Sequence, residues 1–223
     1  MMRATFAQPP WWVYSTAFVM SFNGGYINSV TLVSILHSTV GYVTGNLTLA
    51  GDAFQQGHFP LFSHLITLVL CFLFGSIISG MLIKSEHYAL DRRYSASLAL
   101  QFMFVLVAMI LLLHDDTLAS YLLAGAMGMQ NAMTTHYGSA LIRTTHMTGT
   151  TTDLGLLISR WIKGHAVEPW KALLYSVLIG GFLIGAMSGT LCYAFIQAWA
   201  LFLPLLIYAA MLYLQQQRQC IKH

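Results

Sequence analysis

The stretch VTGNLTLAGD, from Val43 to Asp52, decides how this sequence is interpreted, because a related stretch, MTGTTTDLG, runs from Met147 to Gly155. Each places Thr-Gly and a further polar residue ahead of threonines and one aspartate, and Thr148 follows Thr44 by 104 residues. Both stand in a chain that is otherwise strongly apolar. The pattern therefore indicates two related polar segments inside an apolar protein.

Composition identifies the class of protein. The chain has 223 residues, of which 57% are hydrophobic and 8% are charged, whereas soluble domains carry roughly 25% charged residues. So few charges cannot cover a soluble surface, and we expect an integral membrane protein whose main partner is the lipid bilayer. The net charge of +3 comes without a basic stripe, so no nucleic acid is expected. The three cysteines have no metal-binding spacing, and no metal or cofactor is predicted.

Six apolar segments are long enough to cross a membrane, which takes about 20 residues. They are residues 11–36, 61–83, 96–113, 117–141, 170–193 and 198–214. Residues 37–60 and 142–169 lie between spans and contain the two motifs; we refer to them as the first and second Thr-Gly segments. The sequence predicts an all-α membrane protein, with residues 1–223 as one transmembrane domain.

The positive charges predict the orientation. If the N-terminus is cytoplasmic, six spans place every Lys and Arg on the cytoplasmic side, as the positive-inside rule requires. These residues are Arg3, Lys84, Arg92, Arg93, Arg143, Arg160, Lys163, Lys171, Arg218 and Lys222. We therefore expect both termini in the cytoplasm. The N-terminal region has no Ala-x-Ala cleavage site, so the first span is expected to remain uncleaved.

The two halves of the chain, about 11–114 and 117–214, repeat one another. Gly24 precedes Thr44 by 20 residues, and Gly128 precedes Thr148 by the same number. In the spans that follow, Gly75 and Gly80 match Gly180 and Gly185 at an offset of 105. Three spans per half is an odd number, so the second half would be inserted upside down, as in many transporter folds. The fold expected is two inverted three-helix repeats, each with a broken or re-entrant Thr-Gly segment.

Each motif is expected to begin a helix. Thr44 or Asn46, and Thr148 or Thr150, are predicted to be N-caps, and the free N–H groups behind them favour anions or carbonyl oxygens.

A helix after each motif would place polar residues on one face. These are Thr44, Thr48 and Asp52 in the first segment, and Thr148 and Thr152 beside Asp153 in the second. An aspartate at membrane depth could carry a proton or meet a cation. The alternative is that the threonine hydroxyls bond back to helix carbonyls and the aspartates face water.

The candidate solute-binding residues are the two motifs and three amides in the first and fourth spans. They are Thr44, Gly45, Asn46, Thr48, Asp52, Asn28, Gln130, Asn131, Thr148, Gly149, Thr150, Thr152 and Asp153. For Gln130 and Asn131 an interhelical hydrogen bond is the alternative to a place along a solute path.

The stretches GYVTGNLTLAGDAF, GAMGMQNAM and RTTHMTGTTTDLG, in this order on six spans, resemble the YoaK-like family of bacterial inner-membrane proteins. That family is a domain-of-unknown-function group, and the resemblance covers nearly the whole chain. It implies a location in the bacterial cytoplasmic membrane. Family members are loosely described as transporters without an established substrate.

The expected function is a small-solute transporter or facilitator, with the solute between the two Thr-Gly segments near the bilayer midplane and Asp52 and Asp153 as coupling groups. The alternative is a non-transporting partner subunit or sensor that uses the segments as packing joints. An enzyme is not expected, because the sequence has no intramembrane-protease motif, and it has no GxxxxGK[ST] nucleotide loop. The run Gly181, Gly185, Gly189 predicts close helix packing and leaves a homo-oligomer open.

Overall fold

The computed structural model describes the backbone of residues 9–83, 92–137 and 144–220, and the side chains of residues 9–83, 94–135 and 144–217. All regular structure in these parts of the chain is helical, which confirms the predicted all-α class. The α-helices are α1 (Trp11–Val33), α2 (Val43–Gln55), α3 (Phe59–Leu82), α4 (Arg92–Leu113), α5 (Ala119–Tyr137), α6 (Met147–Ile162), α7 (Pro169–Ile196) and α8 (Phe202–Cys220). A 3₁₀ turn, Gln197–Leu201, separates α7 from α8.

Within these described residues, three stretches are long and apolar enough to cross a membrane. They are Phe59–Leu82, Tyr94–Leu113 and Pro169–Gln217. The last has 49 residues, and its α-helical backbone is interrupted at Gln197, where φ is 47°, directly after α7 ends at Ile196. The three stretches cover the predicted second, third, fifth and sixth spans.

The other two predicted spans correspond to α1 and α5, which are more polar because they are surrounded by protein. Residues 23–31 of α1 and residues 123–130 of α5 are all buried. Polar side chains at such positions find partners in the protein rather than facing lipid. Hydropathy therefore marks the outer helices more clearly than the two inner ones.

Helix packing follows one plan in both halves. α1 packs against α7, and α3 packs against α5, while α2 lies on α3 and α6 lies on α7. Glycines allow the backbones to touch, since a Cβ at Gly25 would overlap the carbonyl of Phe182, and one at Gly128 would overlap the carbonyl of Phe72. The Gly181, Gly185 and Gly189 face packs against α1 of the same chain, which confirms the predicted close packing.

The predicted N-caps are wrong by two or more residues. Tyr42 and His146 precede the first residues of α2 and α6, and neither makes a side-chain capping bond. The helical hydrogen bonds begin early, because Asn46 N–H donates to Tyr42 O (3.1 Å) and Thr150 N–H donates to His146 O (3.1 Å). Each Thr-Gly pair consequently lies inside a first helical turn.

Much of the charge pattern falls outside the described residues. Arg3, Lys84, Arg143 and Lys222 lie there, as do the side chains of Arg92, Arg93 and Arg218.

Candidate functional site

One asparagine in each inner helix holds the chain just ahead of each motif. Asn28 Oδ1 accepts from the N–H of Gly41 (2.8 Å), and Asn131 Oδ1 accepts from the N–H of Thr145 (3.2 Å). Each amide also donates four residues back along its own helix, Asn28 to Gly24 O (2.9 Å) and Asn131 to Met127 O (2.9 Å). Asn28 and Asn131 therefore make the same kind of backbone hydrogen bonds, one in each half of the chain.

These bonds fold each Thr-Gly segment back along a helix. α1 continues to Val33, yet Gly41 returns to the level of Asn28, which lies roughly 8 Å before the end of α1 at 1.5 Å per residue. Asn131 is likewise inside α5, which runs to Tyr137. α2 and α6 therefore start within the bundle rather than at its rim.

The first glycine of each motif makes room for an aromatic ring. The ring of Tyr42 lies where a Cβ on Gly45 would be, and the ring of His146 occupies the same place at Gly149. Gly51, later in α2, has nothing within 4 Å of its own Cβ position. Glycine is therefore required in the first turn of α2 and α6, at Gly45 and Gly149, and not later in α2 at Gly51.

The two Thr-Gly segments meet beside an open cavity. A Cβ on Gly41 would lie 3.3 Å from Thr145 Cγ2, so the first and second Thr-Gly segments touch at that point. Beside this contact is a cavity of about 480 Å³. Most of its lining consists of matched positions from the two halves. The pairs are Asn28 and Asn131, Leu32 and Thr135, Gly41 and Thr145, Tyr42 and His146, Val43 and Met147, Thr44 and Thr148, and Phe72 and Phe182.

The cavity offers hydrogen-bonding groups, and His146 is the one titratable imidazole among the described residues that line it. None of the described residues that line it is Asp, Glu, Lys or Arg. Thr44 and Thr148 line it, and no hydrogen bond of their hydroxyls is found within the described residues. The first N–H groups of α2 and α6 also lie here, ahead of the first intrahelical bond, and they carry the positive end of each helix dipole. Such a site suits a small molecule with acceptor atoms and an apolar body.

The structure brings four of the predicted site residues to the cavity, namely Thr44, Thr148, Asn28 and Asn131. Asn46 and Thr150 are buried and hold their own segments, Asn46 by donating to Thr39 O (2.8 Å) and Thr150 by donating to His146 O (3.0 Å). Gly45 and Gly149 lie under their aromatic rings.

Beyond Thr44 and Thr148, which line the cavity, the polar stripes turn away from it. Thr48 donates back to Thr44 O (2.9 Å), and Thr152 donates to Thr148 O (3.0 Å). Asp52 is exposed and accepts from Gln56 Nε2 (2.9 Å). Asp153 is exposed as well. This is the arrangement that the alternative interpretation of the stripes describes.

Gln130 lies at a buried junction of helices. Its Oε1 accepts from Asn23 Nδ2 (2.8 Å) and from the hydroxyl of Tyr208 (2.9 Å). Its Nε2 donates to Met20 O (2.9 Å) and to Thr144 Oγ1 (3.0 Å). The amide therefore joins α1, α5, α8 and the second Thr-Gly segment and does not line the cavity.

Sequence reasoning missed the aromatic lining, Tyr42 and His146 on one side and Phe72 and Phe182 on the other. The first pair carries a signal, because each residue stands two positions before the Thr of its motif. The second pair has no polar signature and becomes visible only through the contacts with Gly128 and Gly25.

These features define a helical protein with candidate membrane spans and a cavity between two back-folded segments. A family model described as "Protein of unknown function (DUF1275)" matches residues 16–214. The chain belongs to this family. No curated protein matches the chain, and no solved structure matches it either.

Proposed function

We propose that this chain is a small-solute transporter or facilitator of the bacterial cytoplasmic membrane, with its solute in the cavity between the two Thr-Gly segments. The observation that carries the proposal is the paired lining: equivalent residues of both halves surround one cavity. Many transporters have a site built from two related halves, and this site opens alternately to one side of the membrane and to the other.

The proposed architecture is six spans in two inverted repeats, with α1 and α5 as the inner spans and both termini cytoplasmic. The matched asparagine bonds support it, and so do the matched glycine contacts of α1 with α7 and of α5 with α3. These contacts relate Gly75 to Gly185, at an offset of 110, instead of the 105 suggested by glycine spacing. The YoaK-like resemblance supports the same assignment.

The solute proposed is small and not cationic. It would place acceptor atoms on the hydroxyls of Thr44 and Thr148 and on the first N–H groups of α2 and α6, with its apolar part against Phe72 and Phe182. A cation would meet positive helix ends and no carboxylate, and an unpaired buried charge costs several kcal/mol.

One observation favours the second candidate, a partner subunit or sensor. The amides of Asn28 and Asn131 are engaged in internal bonds, as packing joints would be. A packing joint needs no solute, so ligand binding separates the two functions.

The test is a thermal-unfolding screen of the purified chain with small carboxylates, amides, alcohols and amines. A solute at about 100 times its Kd stabilises the folded state by about 2.7 kcal/mol, which corresponds to a Tm increase of roughly 5–11 °C for a chain of this size. Ala186 lines the cavity. The Ala186→Phe substitution places a large side chain there and should abolish that increase. Met187→Phe, on the exposed side of the same helix, is the matched control and should retain it. A shift that survives Ala186→Phe contradicts this site.

A further inference from the structure

A chain of three hydrogen bonds ties the first Thr-Gly segment to two helices through a histidine. Ser38 Oγ lies 3.0 Å from His64 Nε2, and His64 Nδ1 lies 2.8 Å from the hydroxyl of Tyr121. Ser38 Oγ also donates to Leu36 O (2.7 Å). His64 is on α3 and Tyr121 on α5, so the histidine bridges the segment and the bundle.

The hydrogen count fixes the direction of this chain. The single hydroxyl hydrogen of Ser38 is given to Leu36 O, so His64 Nε2 must donate to Ser38. In a neutral imidazole the other nitrogen is then an acceptor, and it takes the hydroxyl hydrogen of Tyr121. Every donor and acceptor in the chain is satisfied when His64 is neutral.

Protonation would disturb this arrangement. The added proton binds His64 Nδ1, which becomes a donor, so the hydroxyl of Tyr121 must turn its hydrogen away. The resulting charge is partly buried and faces only the hydroxyls of Ser38 and Tyr121 among the described residues. Nε2–H can still donate to Ser38 after protonation, but water solvates an imidazolium better than two hydroxyls do, so the cost of the partly buried charge favours withdrawal of the ring from Ser38.

Within the described part of the chain, His64 is bonded to Ser38 and Tyr121 and to no carboxylate. Cys71 lies about two turns further along α3, and its side chain is a thiol, not a carboxylate. Asp52, the one charged residue of α2, is exposed and bonded to Gln56. The remaining titratable groups at this end of the described bundle lie in connections and are His37, His58, His114, Asp115 and Asp116. Asp116 is engaged with the N–H of Leu118 (2.8 Å).

The second Thr-Gly segment has no such anchor in its described part. Thr144 is held by Gln130 and Ser21, and Thr145 is held by Asn131, and none of these side chains titrates. His146, which follows Thr145, has its ring over Gly149 of the same segment. By the offset of 110 that relates α3 to α7, the counterpart of His64 is Leu174, which is buried in an apolar cluster. The two halves therefore differ in one proton-accepting joint.

We propose that His64 is a proton-binding site that controls the first Thr-Gly segment: the neutral ring holds Ser38, and the protonated ring releases it. This deepens the proposed function and rests on it, because it makes the proton the coupling ion. Thr39 lines the cavity and directly follows Ser38, so release of Ser38 changes access to the cavity. His64 is a positioning residue here, since it acts through Ser38.

The test follows the exposure of the first segment directly. Single cysteines are placed at Thr39 and, as a reference in the second segment, at Thr152, which is exposed and six residues away from His146, in chains without the three native cysteines. Their rates of modification by a methanethiosulfonate reagent are measured in detergent between about pH 8 and about pH 5.5, which brackets histidine titration. Acidification lowers the thiolate fraction at both positions, so the ratio of the two rates removes this general effect and reports the segment.

We expect the ratio to rise about tenfold on acidification, a factor that corresponds to about 1.4 kcal/mol between the two states. His64→Gln should remove the pH dependence, while the matched control His58→Gln, at an exposed position, should retain it. Ser38→Ala removes the joint itself and should give a high ratio at both pH values. A pH-dependent ratio in His64→Gln or Ser38→Ala, or a flat ratio in the parent chain, overturns the proposal.

The labelling needs no solute. A flat ratio together with a positive solute screen would therefore reject the proton site and leave the proposed transporter in place. A pH-dependent ratio with no stabilising solute would support the proton site and reject the proposed transporter.

Discussion

The first turn of α2 provides a sharp test of how the Thr-Gly motif is built. A Cβ on Gly45 would overlap the ring of Tyr42, whereas a Cβ on Gly51 in the same helix would meet nothing within 4 Å. Gly45→Ala should therefore destabilise the protein by about 1–3 kcal/mol, the usual effect of overpacking. Gly51→Ala should instead stabilise it by about 0.5–1 kcal/mol, because alanine favours the helix.

The matching double-mutant cycle identifies the cause. Removing the ring with Tyr42→Ala leaves space for the new methyl group, so Gly45→Ala in that background should behave like Gly51→Ala. The coupling between positions 42 and 45 is then about 1.5–4 kcal/mol, the sum of the clash and the recovered helix propensity.

The assay is thermal unfolding of the purified chain in detergent. For a chain of this size, 1 kcal/mol corresponds to roughly 2–4 °C in Tm. Gly45→Ala should therefore lower Tm by roughly 2–12 °C in the parent chain. If Gly45→Ala and Gly51→Ala give the same Tm, with or without Tyr42, the ring does not rest on the glycine and the reasoning is refuted.

Three further outcomes follow from the structure. Asn28→Ala leaves the N–H of Gly41 without its acceptor and should cost about 1–3 kcal/mol, measured by the same unfolding assay; an unchanged Tm would mean that the bond does not hold the segment. Asp52→Asn should preserve the Tm increase given by a stabilising solute, while Thr44→Val should weaken it, because Thr44 lines the cavity and Asp52 does not. A Tm increase lost in Asp52→Asn and kept in Thr44→Val would restore Asp52 as a solute contact. Reporter fusions after Asp116 should report the outside and fusions after Arg93 the cytoplasm, since the positive charges then lie inside; the opposite pattern would contradict the proposed topology.

The sequence predicted the fold well where the pattern had a physical cause of its own. Apolar length predicted α3, α4, α7 and α8, and the two motifs predicted that α2 and α6 would be helical. The candidate site residues also included Asn28 and Asn131. Their role as backbone anchors depends on how the chain folds back, which spacing alone does not contain.

The helix starts and the cavity lining were harder to predict for the same reason. Capping preferences favoured Thr44 and Thr148, but a tertiary bond just ahead of each motif sets the helix start and overrides the local preference. Phe72 and Phe182 are ordinary apolar residues in apolar helices, and only the glycine contacts across two interfaces bring them to the cavity.

The central claim is that the two Thr-Gly segments control one cavity from opposite sides of the membrane. Cysteines at Thr44 and Thr148, both exposed and both lining the cavity, test it in sealed vesicles of known orientation with a membrane-impermeant thiol reagent. We expect Thr44→Cys to be labelled mainly from outside and Thr148→Cys mainly from the cytoplasmic side. A solute that stabilises the parent chain should raise one rate and lower the other, because it shifts the balance only by preferring one state. Labelling of both positions from one side, unchanged by that solute, would contradict the account.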